Sequence, residues 1–76
     1  MTVFPNPVTT QLTIRSEDFA SIEQVQIFEI SGKLVFEKIF SGQTTVQLDL
    51  AHLPKGIYSA KINTEEAIVS KRFSKQ

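Results

Sequence analysis

The segment Leu53-Pro54-Lys55-Gly56-Ile57-Tyr58 constrains the fold of this chain more than any other. Pro54 has the φ angle that the second position of a type I turn requires, and Gly56 suits the fourth position. A tyrosine hydroxyl just after such a turn can bond back to the turn, as at the corner of an immunoglobulin-like β-sandwich. We therefore predict that Tyr58 is buried and that its hydroxyl bonds to backbone within residues 52–55.

Polar and apolar residues alternate along several short segments, a pattern typical of β-strands with one buried face. The alternation is clearest at residues 11–15, 24–27 and 46–50, and further strands are predicted at 57–62 and 67–73. Residues 33–40 are apolar at both parities, which predicts a central or a bent strand. No helix of useful length is predicted. Strands that recur about every ten residues, with turns between them, predict an all-β sandwich or barrel. The predicted core consists of Leu12, Ile14, Val25, Ile27, Val46, Leu48, Leu50, Tyr58, Ile62 and Val69.

Small and polar residues separate the predicted strands. Ser31-Gly32 is predicted to form a tight hairpin in which Gly32 has a positive φ. Ser41-Gly42-Gln43 is predicted to separate the next two strands in the same way, and Asn63-Thr64-Glu65-Glu66 is predicted to be the polar turn before the last strand.

Phe4-Pro5-Asn6-Pro7 is the second distinctive segment. A residue that precedes proline is pushed out of the helical region, so Phe4 and Asn6 are both predicted to be extended. The segment is either a rigid lead-in to the first strand or a surface element that a partner recognises.

The composition bounds the class of protein. A chain of 76 residues makes one domain, and the absence of cysteine excludes disulfides and thiolate metal sites. Eight basic and eight acidic residues cancel, so nothing predicts attraction to nucleic acid or to an anionic membrane. No apolar run is long enough to predict insertion into a bilayer. The first residues show no secretory signal, and we expect Met1 to begin a fragment of a longer protein.

The sequence contains few residues that could catalyse a reaction or bind a metal or a phosphate. His52 is the only histidine and has no neighbouring cysteine or paired carboxylate, so it predicts neither a zinc site nor a catalytic base. The pairs Glu17-Asp18 and Glu65-Glu66 are predicted to be solvated turn residues that do not converge. The glycines are isolated and form no phosphate-binding loop. We therefore predict no enzyme activity, no metal and no cofactor.

The segment Lys71-Arg72-Phe73-Ser74-Lys75, next to the last residue Gln76, places three basic residues in a local positive patch. The patch either guards the edge of a sheet or serves as a terminal tag that a receptor reads.

Taken in order, these segments closely resemble the type A C-terminal sorting domain of the type IX secretion system, also called the Por secretion system. The resemblance covers nearly the whole chain and rests on the order and spacing of Phe4-Pro5-Asn6-Pro7, residues 25–35, residues 48–58 and Lys71-Arg72-Phe73. It implies an immunoglobulin-like antiparallel β-sandwich of about seven strands. It also implies recognition residues at Pro5, Asn6, Pro7, Gly32, Gly56, Tyr58, Lys71, Arg72, Phe73 and Lys75.

The resemblance further implies a role and a location. Such a domain ends a large exported protein whose own N-terminal export signal brings it to the periplasm. The domain directs this cargo through the outer-membrane translocon to the cell surface or the medium, with a shuttle and a sortase-like peptidase as further partners. The peptidase then removes the domain at a site upstream of these residues.

Two other classes stay open. A generic immunoglobulin-like binding or spacer module would have the same fold, and a glycan-binding one would need a cluster of exposed aromatic residues. Tyr58 and most of the six phenylalanines are instead predicted to lie in the core. A small enzyme is the second alternative, and the shortage of catalytic residues argues against it.

Overall fold

Seven β-strands in two antiparallel sheets make up the chain, and the computed structural model describes all 76 residues. The all-β prediction is confirmed, and the chain contains no helix. The strands are β1 (Thr2–Phe4), β2 (Gln11–Arg15), β3 (Ile22–Glu29), β4 (Leu34–Gln43), β5 (Thr45–Asp49), β6 (Gly56–Thr64) and β7 (Ile68–Lys75). No helix could cross a membrane.

The two sheets divide the strands as a seven-stranded immunoglobulin sandwich does, except that the fourth strand pairs with the third and not with the fifth. One sheet has three strands in the order β1-β2-β5, and the other has four in the order β4-β3-β6-β7. The chain therefore changes sheet between β2 and β3, between β4 and β5, and between β5 and β6. β4 and β7 are the edge strands of the larger sheet.

The core lies between the sheets because alternate residues of the facing strands point inward. The predicted core is confirmed at every position except Val69, which is only half-buried on the edge strand β7. Fully or nearly buried residues that the alternation did not indicate are Val8, Ala20, Ile22, Leu53, Ala60 and Phe73.

The hairpin between β3 and β4 forms at the predicted place. Gly32 has a φ of +94° and its N–H donates to the carbonyl of Glu29 at 2.8 Å, while the N–H of Glu29 donates to Lys33 at 2.9 Å. This is the three-residue hairpin in which a turn is followed by a left-handed glycine.

The second glycine turn is predicted wrongly. β4 continues through Ser41-Gly42-Gln43, and the single residue Thr44 separates it from β5. The register between β3 and β4 slips between the pairs Ile22–Gln43 and Gln24–Ile39. Gly42, with a φ of +81°, lies in the resulting bulge rather than in a hairpin. β4 is thus a bent edge strand, which was one of the two alternatives that its apolar pattern left open.

The first strand was not predicted. β1 has three residues and pairs with β2 from Thr2–Arg15 to Phe4–Thr13. Three residues are too few to show an alternating pattern, and the proline-rich segment after them gave the stronger signal.

Candidate recognition site

The corner after β5 has the predicted burial and hydrogen bond of Tyr58, but the predicted turn at Leu53–Gly56 is displaced: the turn hydrogen bond runs from the N–H of Leu53 to the carbonyl of Leu50, at 3.0 Å. Tyr58 is 5 % exposed, and its hydroxyl donates to the carbonyl of Pro54 at 2.6 Å. Its ring stacks on the ring of Phe73, with centroids 5.8 Å apart and planes 21° from parallel. The corner is therefore tied both to its own turn and to the last strand.

The proline-rich segment contacts the end of the chain. The Asn6 side-chain oxygen accepts hydrogen bonds from the N–H and the hydroxyl of Ser74, at 3.0 and 3.1 Å. The N–H of Val8 donates to the carbonyl of Ser74, and the N–H of Gln76 donates to the carbonyl of Val8, each at 2.8 Å. We call these four residues, Asn6, Val8, Ser74 and Gln76, the terminal clasp. Asn6 lies between two cis prolyl bonds, Phe4–Pro5 and Asn6–Pro7.

Strand pairing brings the turn glycine to the same end of the sandwich. In the ladder between β6 and β7, Gly56 pairs with Lys75 and Tyr58 pairs with Phe73. Gly56 has a φ of +158°, close to extended backbone, and a β-carbon built there would lie 3.8 Å from the Tyr58 ring. Three segments that are distant in sequence therefore meet beside the terminal clasp.

Gly32 and Arg72 line a shallow groove on the outer face of the larger sheet. The groove has a volume of about 350 Å³, and Phe28, Ile30 and Ile57 supply apolar surface in it. Ile30 is 81 % exposed and Ile57 is 41 % exposed. The hairpin, β6 and β7 thus contribute to one concave surface.

The basic residues of β7 do not form the single exposed patch that the sequence predicts. Lys75 is 6 % exposed, and its ammonium group donates to the main-chain oxygen of Gln76 at 2.9 Å. Phe73 lies in the core. Lys71 and Arg72 are exposed, and as neighbours on a strand they point to opposite faces of the sheet.

Part of the outer face is covered by a polar network that the sequence did not reveal. Glu37 accepts hydrogen bonds from the side-chain amides of Gln24 and Gln26, at 2.9 and 2.8 Å. Gln24 in turn accepts from the amide of Asn63 at 2.8 Å. These residues lie on three adjacent strands, so only the pairing of the strands creates the network.

The acidic pair Glu17-Asp18 does not converge, as predicted. The Met1 amino group, 2.6 Å away, and then the Thr2 hydroxyl lower the pKa of Glu17 from 4.5 to about 2. The hydroxyl of Ser16 and then the N–H of Ala20 lower the pKa of Asp18. Each carboxylate is therefore held ionised by its own partners.

The aromatic residues are distributed differently from the prediction. Phe73 is the one phenylalanine that is fully buried, and Phe19 is 79 % exposed with a φ of +63°. His52 is exposed in its turn, with its ring 6.1 Å from that of Phe36. No group of three or more histidine, aspartate or glutamate side chains is placed to hold a metal ion.

The fold and the converging segments define a small β-sandwich whose distinctive residues lie at one end and on one strand. A family model described as "Secretion system C-terminal sorting domain" matches residues 2–76. The chain therefore belongs to the family of type IX secretion system C-terminal sorting domains. No curated protein matches the chain.

Proposed function

We propose that this domain directs its cargo through the outer-membrane translocon of the type IX secretion system, and that a shuttle and a sortase-like peptidase act on the fusion in turn. The cargo would reach the periplasm by its own N-terminal export signal and end at the cell surface or in the medium. In this proposal the domain is the part that is recognised and carries out no chemistry itself.

The terminal clasp supports this proposal most directly. It joins the Pro5-Asn6-Pro7 segment to β7, and the β6–β7 ladder adds Gly56 and Tyr58. A receptor that contacts this end of the sandwich would meet all three segments together only when the domain is folded. The arrangement would therefore make recognition depend on the folding of the domain itself.

A fusion experiment tests the proposal. The domain is joined to the C-terminus of a periplasmic reporter in a type IX-competent host, and the surface and medium fractions are measured. We expect export of the native fusion and its loss when the two exposed basic residues, Lys71 and Arg72, are replaced by Gln. Retention of the native fusion in the periplasm would contradict the proposal and favour a binding or spacer module.

The proposed lack of catalytic activity and of a bound metal is tested separately. The purified domain is expected to show no hydrolase activity and no stoichiometric transition metal by elemental analysis. One bound metal per chain, or turnover that a point substitution abolishes, would contradict a purely recognitional role.

A further inference from the structure

The outer edge of β7 is open along most of its length. The N–H and the carbonyl of Ser74 both point away from β6, since Asn6 and Val8 bond to them from outside the sheet. Backbone groups alternate in direction along a strand, so those of Ile68, Ser70 and Arg72 point the same way. β7 pairs with β6 alone, and no side chain bonds to these backbone groups. The edge therefore presents a row of unpaired donors and acceptors from residue 68 to residue 72.

The other edges of the sandwich are blunted, as is usual for edge strands. β4 has register shifts at two places, and bulges twist an edge away from possible partners. β1 has three residues and β5 has five. β7 has eight residues in continuous register with β6, from Lys75–Gly56 to Ile68–Asn63. It is the one long and regular edge, and the terminal clasp covers only its C-terminal end.

The side chains along this edge are positive and partly apolar. Lys71 and Arg72 are exposed, and neither forms a salt bridge, since the chain's one bridge joins Met1 to Glu17. Ile68 is 64 % exposed on the same face as Arg72. A second strand laid here would meet unpaired positive charge on both faces and an apolar side chain on one.

We propose that an extended, acidic segment of a partner protein adds to the open edge between Ile68 and Arg72 as a fifth strand of the larger sheet. Main-chain hydrogen bonds supply affinity in this mode of recognition, and side chains supply specificity. The segment would place acidic residues beside Lys71 and Arg72 and an apolar residue beside Ile68. The inference rests on the proposed function in taking this partner to be part of the export machinery.

Charge decides between such a partner and a second copy of the domain. Pairing β7 with its own copy would bring the Lys71 and Arg72 of both chains to one edge, and like charges across a strand pair are destabilising. An acidic strand would instead neutralise these charges. The lysine and arginine thus guard the edge against self-pairing while favouring an acidic strand.

The sharpest test removes one outward N–H and leaves the rest of the sheet intact. Proline is tolerated on an edge strand where its missing N–H would face outward, which is the position of Ser70. The reporter fusion is compared for the native domain, Ser70→Pro and the matched control Ser70→Ala, which keeps the N–H. We expect export to fall about tenfold or more with Ser70→Pro, because a strand cannot pair past the ring, and to stay near native with Ser70→Ala.

Charge reversal is the second test and covers the case in which Ser70→Pro does not fold. Lys71→Glu with Arg72→Glu should abolish export, while Lys33→Glu with Lys55→Glu, an equal change at exposed residues outside β7, should leave it near native. Thermal denaturation shows whether each variant is folded.

The outcomes separate strand addition from the sorting role. Suppose that the native fusion is exported, and that either a folded Ser70→Pro variant or the Lys71–Arg72 reversal is exported equally well. Strand addition is then wrong, while the sorting role stands. If the native fusion is not exported, the sorting role itself fails. A dimer in sedimentation analysis that Ser70→Pro abolishes would overturn the choice of an acidic partner and assign the edge to a second copy.

Discussion

Asn6 holds Ser74, 68 residues later in the chain, through two hydrogen bonds to one side-chain oxygen, at 3.0 Å from the backbone N–H and 3.1 Å from the hydroxyl. The contact fixes the C-terminal end of β7 to the entry of the domain. It also ends the open edge of β7 at a defined residue. Asn6 is thus a positioning residue for the last strand, whatever else it contacts.

Replacing Asn6 by Ala should loosen this end of β7. We expect the free energy of unfolding to fall by about 1 kcal/mol, the net contribution of a typical hydrogen bond. Hydrogen exchange by NMR should show faster exchange at the Ser74 amide and little change at Gln76, whose partner is the carbonyl of Val8. Asn6→Asp is the matched control because it keeps an acceptor oxygen. Unchanged protection of the Ser74 amide in Asn6→Ala would show that the contact is not maintained in solution.

The Asn6–Ser74 contact also marks the limit of what the sequence could predict. Strand type and facing follow from local alternation, so Leu12, Ile14, Val46 and Leu48 were assigned to the core correctly. The Tyr58 corner was equally predictable, because donor and acceptor lie four residues apart. Contacts between distant segments have no such local pattern.

Strand edges and bulges show the same limit. Gly42 reads as a turn residue because glycine permits a positive φ in turns and bulges alike. Only the pairing of β4 with β3 decides that it lies in a bulge. Likewise, the alternation does not reveal that Lys75 is buried, since a lysine on a strand is usually predicted to be exposed.

The Tyr58 hydroxyl offers a direct test of the corner. Tyr58→Phe removes the 2.6 Å bond to Pro54 and keeps the ring that stacks on Phe73. We expect a loss of about 1 kcal/mol in urea denaturation, with the m-value unchanged. Tyr58→Leu should cost more, because it also removes the stacking. Equal midpoints for the native and Phe variants would mean that the hydroxyl bond adds nothing to stability.

The stability lost on substituting Gly32 should depend on how readily the new residue adopts a positive φ, and not on the space available for its side chain. Its φ is +94°, and no heavy atom lies within 4 Å of a β-carbon built there. Gly32→Ala is expected to cost about 1 kcal/mol, because L-residues disfavour positive φ. Gly32→Asn should cost less, since asparagine visits this region more readily. An Ala variant as stable as the native domain would indicate that the hairpin relaxes to another turn. Normal export of a folded Ala variant would assign Gly32 a structural role.

Acid should weaken the domain partly through Glu17. Because its pKa is lowered from 4.5 to about 2, the stability it contributes is fully present above pH 4.5 and is lost as the pH falls towards 2. Glu17→Gln should therefore lower the melting temperature slightly at pH 7 and make little difference at pH 2. Acetylating the Met1 amino group should reproduce part of the effect, since that group is the main cause of the shift. A Glu17→Gln difference that is equal at both pH values would contradict this account.

Of the three basic residues of β7, Lys75 should stabilise the fold, whereas Lys71 and Arg72 should not. Lys75 is 6 % exposed, so Lys75→Gln removes packed methylene groups together with a bond to Gln76. We expect it to lower the free energy of unfolding by about 1 kcal/mol, the worth of one hydrogen bond and a little apolar surface. Lys71→Gln and Arg72→Gln should change it very little, because both side chains are exposed and unpaired. Export of the reporter fusion should show the opposite order, with the Lys71→Gln and Arg72→Gln double variant impaired more than Lys75→Gln. Suppose that Lys75→Gln blocks export while the domain stays as stable as the native one. The export machinery then contacts the buried lysine directly, and this division of roles is wrong.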